Sequence, residues 1–297
     1  MRILIQNYNS ALSTEPMYIH RCLVECGYPA ELWGNPNVSA FDMFDSHQPD
    51  MFITHYKFLT NDTIKYLSQK RKTHMVLNIT GINEDELKTL ESLIKSNGIS
   101  MPLAFTNLYD TKHVPKSEFK VIDLYPAADI FLAPVPTPEY SADMCVLSIE
   151  DNDLIAEAAK GRDNYHKFSF NSQAEYADMN VDIAAVTSFY HRYQEIVLAD
   201  DINFVTSQVL FDSILKSNKV TIKVSKAQEP VLNAVLGKLF VQQDEEIEIS
   251  EMVKSQVKSR HNCFKRSARL FRALKMEEVS KKLESISDRL SGGEAVE

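Results

Sequence analysis

The chain has 297 residues, of which 44% are apolar and 25% charged, with a formal net charge of −9. That length suits two domains of about 100–150 residues, and the ordinary balance of apolar and charged residues excludes wholesale disorder. The acidic charge excludes a general affinity for nucleic acid, which needs a surplus of Lys and Arg, and no apolar run reaches the roughly 18–20 residues that span a bilayer.

In chain order, the apolar run Arg2–Gln6 predicts a strand, and the polar stretch Asn7–Ser13 a loop. A helix follows with Ser13 or Thr14 as its cap, Pro16 in its first turn and Gly27 at its end. Further strands are expected at Ala30–Trp33, Asp50–Thr54, His74–Ile79, Leu103–Thr106 and Phe119–Leu124, with a helix at Asn61–Lys70. Asn83 and Glu86 form a capping-box pair ahead of the stripe Leu87, Leu90, Leu93 and Ile94, and Gly98 ends that helix. Strands alternating with helices imply a parallel sheet covered on both faces.

Pro134, Pro136 and Pro138, spaced by two, predict an extended linker at residues 133–142. It separates an N-terminal domain, 1–132, from a second α/β domain, 143–290. The alternation restarts there: strand Met144–Ile149, helix Asp153–Lys160, strand Tyr165–Phe170, helix Val181–His191, strand Glu195–Ala199, helix Ser207–Lys216 and strand Lys219–Val224. After the acidic patch Asp244–Glu248 the remainder reads as helical. The fold class is therefore α/β, two Rossmann-like domains with C-terminal helices.

Cys22, Cys26, Cys145 and Cys263 form no CxxC pair and no zinc-type spacing, so they read as packing residues of a reduced, cytoplasmic protein without a metal cage. In doubly wound sheets ligands bind outside the carboxyl ends of strands, where loops feed helix N-termini. The candidate loops are Asn7–Glu15, Thr80–Asn83, Thr106–Thr111, Ser148–Asn152 and Asn203–Gln208; none holds GxGxxG or GxxxxGK[ST]. Thr206 and Ser207 can cap a helix whose free amides favour an anion such as a diphosphate, with Asp212 further along it. The same pattern also describes a routine cap followed by a solvated acid. The cations between Lys258 and Arg272 surround the apolar stripe Phe264, Leu270, Phe271 and Leu274. They read either as the solvated face of a packed helical pair or as a local contact for an anionic partner.

The order Asp182-Ile, Tyr190-His-Arg-Tyr193-Gln-Glu-Ile-Val-Leu and Thr206-Ser-Gln-Val-Leu-Phe-Asp-Ser-Ile-Leu-Lys-Ser-Asn-Lys-Val220 resembles the donor domain of GT-B glycosyltransferases. The segment Ser259-Arg-His-Asn-Cys-Phe-Lys-Arg-Ser-Ala-Arg269 is similar to the Arg-His-Thr-x-x-x-Arg segment of their spore-coat and phage-type members. The loop Asn9-Ser-Ala-Leu-Ser-Thr-Glu15 looks like the Ser-Ser-Glu loop that opens the phage DNA β-glucosyltransferase. The resemblance covers roughly residues 143–275 and implies a glycosyltransferase. Its donor would be a nucleotide sugar, needing no metal or other cofactor, and its acceptor a glycan, a small molecule or a modified nucleic acid.

By that resemblance Asp212, where the family carries Glu, binds the donor ribose, and Thr206, Ser207 and Gln208 lie near the diphosphate. After the strand His74–Ile79, where the phage enzyme carries an Asp, this chain has Asn78 and Thr80 and no carboxylate. The candidate bases are then Glu15, His55 and Asp110, and a retaining mechanism stays open. The missing base and the Asp212 exchange equally suit a GT-B-like protein that binds without catalysis. Another two-domain Rossmann-like enzyme, such as a sugar-phosphate or nucleotide transferase, is the third reading.

Overall fold

The computed structural model describes residues 1–7, 15–34, 38–69, 72–107, 115–131, 141–149, 151–169, 190–239, 246–248 and 251–291. They divide between two compact units. The first holds Met1–Tyr8, Glu15–Tyr125 and Arg266–Ile286, and the second holds Pro126–Lys265 and the residues from Ser287 onward.

In the first unit the chain runs β1 (Ile3–Gln6), α1 (Glu15–Glu25), β2 (Ala30–Trp33), α2 (Ala40–His47), β3 (Met51–His55), a short 3-10 turn (Tyr56–Phe58) and α3 (Asn61–Gln69). It continues through β4 (His74–Asn78), α4 (Glu84–Ser96), β5 (Leu103–Thr106) and β6 (Lys120–Asp123). The six strands form one parallel sheet in the order β2-β1-β3-β4-β5-β6. Ile3 sits opposite both Ala30 and Met51, and Met51 opposite His74. Because β3 and β5 are buried along their whole length, their sequences are near-continuous apolar runs rather than alternating ones.

One face of this sheet packs Leu4, Phe52, Met75, Leu77 and Ala104 against Phe44 of α2, Tyr66 and Leu67 of α3, and Leu87, Leu90 and Ile94 of α4. The Phe44 ring meets Phe52 edge-on at 4.9 Å and Tyr66 at 4.7 Å. Helix α2 was not expected from the sequence. Its start is set by Ser39, whose hydroxyl accepts the Asp42 N–H at 3.1 Å, and its end by Gln48 in the left-handed region at φ 43°. Full burial of Phe44 removes a large apolar surface from water, worth about 1.5–3 kcal/mol.

The second unit repeats the plan with β7 (Ala142–Ser148), α5 (Asp153–Ala158), β8 (Tyr165–Ser169), β9 (Tyr193–Ala199), α6 (Ile202–Val205), α7 (Gln208–Lys216) and β10 (Lys219–Lys223). Helix α8 (Glu229–Leu239), β11 (Glu246–Glu248) and α9 (Glu251–Arg260) follow. Its sheet is ordered β11-β10-β9-β7-β8. In both units the second strand lies outside the first and the third crosses to the first strand's other side. The direction of winding therefore reverses between β1 and β3, and again between β7 and β9. Strand β11 pairs antiparallel to β10, with Lys219 opposite Glu248, so the acidic patch ends in an edge strand that the sequence reading did not include, and α8 is a further addition to it.

Two further helices, α10 (Cys263–Ala273) and α11 (Glu277–Leu290), complete the described chain. Asn262 starts α10 by accepting the Lys265 N–H at 2.9 Å, and donates to Ser287 Oγ at 2.8 Å. Most of both helices belongs to the first unit. Most of the expected linker, 133–142, and most of the helix expected at Val181–His191 lie outside the described residues, and Ala142 already begins β7. No helix among the described residues is long and apolar enough to cross a membrane. Cys22, Cys145 and Cys263 are buried, and the described cysteines form no disulfide.

Candidate functional site

The carboxyl ends of β3, β4, β5 and β6 gather a connected set of polar side chains in the first unit. At the reversal between β1 and β3, the Thr54 hydroxyl donates to Gln6 Oε1 at 2.6 Å, which ties the two strand ends together. Glu15 is the first residue of α1, where a carboxylate complements the positive end of the helix dipole. It is buried, and its Oε1 accepts from Asn78 Nδ2 at 3.0 Å. Its Oε2 accepts from the Tyr18 hydroxyl at 3.5 Å and forms an ion pair with the buried Arg266 guanidinium.

Asn78 ends β4, and its amide orientation is set by Oδ1 accepting the Thr80 N–H at 2.9 Å, which leaves the NH2 group facing Glu15. Thr80 in turn accepts the Asn107 N–H at 3.0 Å. Arg266 also donates to Asn107 Oδ1, to the Leu124 carbonyl and to the Tyr125 carbonyl. Its guanidinium lies 5.7 Å from the centre of the Phe105 ring.

His55, the last residue of β3, is buried beside this set, with its ring 4.8 Å from that of Tyr56. Burial is the main cause that lowers its pKa to about 4; Lys57 lowers it further, while the Glu15 charge and a hydrogen bond to the Thr80 backbone oppose the shift. The imidazole is therefore neutral at physiological pH. Its Nδ1 accepts the Lys57 N–H at 3.3 Å, a long bond that holds the lone pair only weakly. When the ring takes up a proton, the Glu15 charge and the Thr80 backbone hydrogen bond offset part of the cost that burial sets on the imidazolium. Of the three expected bases, the structure brings Glu15 and His55 together. Asp110 lies outside the described residues.

In the second unit, Thr206 closes α6 and Ser207 caps α7, its Oγ accepting the Val209 N–H at 3.3 Å. Gln208 opens α7 and donates to Asp212 Oδ2 at 3.1 Å, one helical turn on. The Asp212 carboxylate also accepts the Asp129 N–H at 3.1 Å and pairs with Lys216 Nζ at 3.3 Å. Both members of that pair are buried, and the Lys216 ammonium lies 5.2 Å from the centre of the Tyr190 ring. Burial, with the Asp212 charge second, pushes the Tyr190 hydroxyl well above its usual pKa. Asp212 is thus an internal acid engaged by three neighbours, rather than the solvated acid of the simpler sequence reading. At the reversal between β7 and β9, Asp200 accepts the Ile149 N–H at 2.6 Å and Asn152 donates to the Ala199 carbonyl at 3.0 Å.

The basic C-terminal stretch is not uniformly a solvated face. Lys265 pairs with Asp288 at 2.6 Å, Arg272 with Glu284 at 2.5 Å, Arg269 lies 5.1 Å from the Tyr125 ring centre, and Arg266 is buried. Arg266 was missed as a site residue. Its signal was the spacing 263, 266, 270, which places it on the apolar stripe of α10 between Cys263 and Leu270. Among the described residues no group of His, Cys, Asp or Glu is arranged to hold a metal ion.

No family model matches the chain, and no curated protein matches it in sequence. Among solved structures, it is similar in chain path to spinosyn rhamnosyltransferase SpnG complexed with thymidine diphosphate. That match has a TM-score of 0.40 and 10% identity over 97% of this chain and 96% of that one. The calicheamicin glycosyltransferase CalG4 gives a TM-score of 0.37 with 11% identity over 99% of this chain and 95% of that one. ATP citrate lyase of Methanosaeta concilii gives 0.22 with 8% identity, covering 98% of this chain and 50% of the lyase.

Proposed function

We propose that the chain transfers a glycosyl group from a nucleotide sugar to an acceptor hydroxyl. The observation that carries this reading is the convergence of His55 and Glu15 at the carboxyl edge of a doubly wound sheet, in a chain that repeats the same strand order in a second unit. Two such units supply two ligand-binding edges, as a reaction between a donor and an acceptor requires. His55 takes the proton of the acceptor hydroxyl, whose oxygen attacks the anomeric carbon as the bond to the nucleoside diphosphate breaks. Thr206, Ser207 and Gln208 lie at the positive end of the α7 dipole, which favours the charge of the departing diphosphate. Asp212 serves the ribose by exchanging one of its internal contacts for a sugar hydroxyl. The reading needs no metal.

A thermal-shift screen with uridine, thymidine, guanosine and adenosine diphosphates and their sugar conjugates tests the donor half. Ligand that binds only the folded state stabilises it by RT ln(1 + [L]/Kd), so one nucleotide should raise the melting temperature at millimolar concentration. Asp212→Asn should then weaken its binding by about 1–3 kcal/mol in a calorimetric titration. The His55→Gln variant should release sugar from that conjugate about 100-fold more slowly than the parent. An unshifted melting temperature with every nucleotide would sink the proposal.

A second reading, a binding protein without turnover, is favoured by one observation. Glu15 and Asp212 are both held in buried ion pairs. Nucleotide binding with no sugar release over days would select it.

A further inference from the structure

Arg266 reaches four acceptors at once: the Glu15 carboxylate, Asn107 Oδ1, and the carbonyls of Leu124 and Tyr125. These belong to the start of α1, the end of β5 and the end of β6. A guanidinium presents its N–H groups in a rigid planar fork. With Nη1 committed to the two backbone carbonyls after β6, the plane of the fork is set, and Nη2 can meet a carboxylate in only one place. Asn78 then fixes the other carboxylate oxygen, so that Oε1 and Oε2 of Glu15 are each held by a different strand end or helix. The charged and titratable groups facing this carboxylate include Arg266, Tyr18 and His55, and Lys57 adds its charge at the His55 ring.

We infer that Arg266 is a positioning residue for the transfer reaction, holding the Glu15 carboxylate in one orientation beside His55 so that the ring can accept the acceptor's proton. The inference rests on the glycosyl-transfer reading for its catalytic consequence, but its geometric part does not. A pair that served only to bind α10 to the sheet would not need the carboxylate oriented by a second donor. The Asn78 amide, itself locked by Thr80, supplies that orientation.

The test compares Arg266→Lys, Arg266→Met and the double variant Glu15→Gln/Arg266→Met in the full chain, each first checked for native circular dichroism. Arg266→Lys keeps the charge and loses the fork. It should lower kcat for the nucleotide sugar by about 100-fold, as expected when a catalytic group shifts by around an ångström, with the donor KM unchanged. The double variant removes both buried charges and so provides a folded comparator; its kcat should stay at least as low as that of Glu15→Gln. Full kcat in Arg266→Lys or in the double variant would overturn the inference. If the parent itself turns over no nucleotide sugar, the glycosyl-transfer reading fails, and the side-chain amide resonances of Asn78 decide the geometric part. They should move on Arg266→Lys substitution if Arg266 sets where Glu15 sits. Unmoved resonances would show that it does not.

Discussion

Among the described residues each unit holds a carboxylate–cation pair with both members buried, and the two pairs are made in opposite ways. In the second unit Asp212 and Lys216 lie one turn apart on α7, so the helix that presents the acid also presents its counter-charge. In the first unit Glu15 meets Arg266 from 251 positions away, and the same guanidinium closes the ends of β5 and β6. A local pair is available as soon as its helix forms. A distant pair exists only when the sheet edge, α1 and α10 are all in place, so it reports on the integrity of the whole unit.

Removing one partner from each pair should separate them. Arg266→Met leaves Glu15 as a buried uncompensated charge and breaks the ties to β5 and β6. It should destabilise the first unit by about 3–5 kcal/mol in urea unfolding, with Glu15→Gln in the same chain restoring a good part of that loss. Equal stability of the parent and Arg266→Met would reduce the pair to an ornament of the core.

The first unit should also carry a pH dependence that originates at His55. His55 has a folded pKa of about 4 against 6.5 for an ordinary histidine. Between those values the unfolded chain binds a proton that the folded chain refuses, so stability falls as pH drops from 6.5 to 4 and levels off below. The difference of about 2.5 pH units corresponds to roughly 3 kcal/mol. In His55→Gln the slope across this window should flatten; an unchanged slope would assign the acid sensitivity to other groups.

Lys216→Met is expected to cost less, about 2 kcal/mol, because Asp212 keeps the hydrogen bonds from Asp129 and Gln208 when its ion partner goes. A loss as large as that of Arg266→Met would erase the distinction between local and distant pairs. The smallest effect should come from Asn83→Ala, which removes the capping box of α4 for about 1 kcal/mol.

What was legible in the sequence follows the same division. Strands β2 and β5 and the Asn83–Glu86 capping box stand where propensity and periodicity place them, because each is specified by neighbours a few residues away. The four-residue spacing of Asp212 and Lys216 is of that kind too, although their burial is not. Helix α2 escaped notice because its apolar residues, Phe41, Met43 and Phe44, are few and bunched, and tertiary contact with Phe52 and Tyr66 completes it. The meeting of Glu15, His55 and Asn78 follows from the strand order, and pattern along the chain does not encode which strand lies beside which. Arg266 was hidden by its company: among Lys258, Arg260, Lys265, Arg269 and Arg272, one buried cation reads as one more exposed one.

The placement of Arg266–Ile286 in the first unit has a consequence for the chain as it is made. At a synthesis rate of about 5–20 residues per second, the stretch from Pro126 to Lys265 occupies the ribosome for roughly seven to thirty seconds. Through that interval the nascent first sheet has its strands but neither α10 nor its arginine, and the Glu15 carboxylate must remain hydrated with the ends of β5 and β6 unclosed. The first unit is therefore begun first but closed only after most of the second has been made, and its sheet edge waits open for that interval.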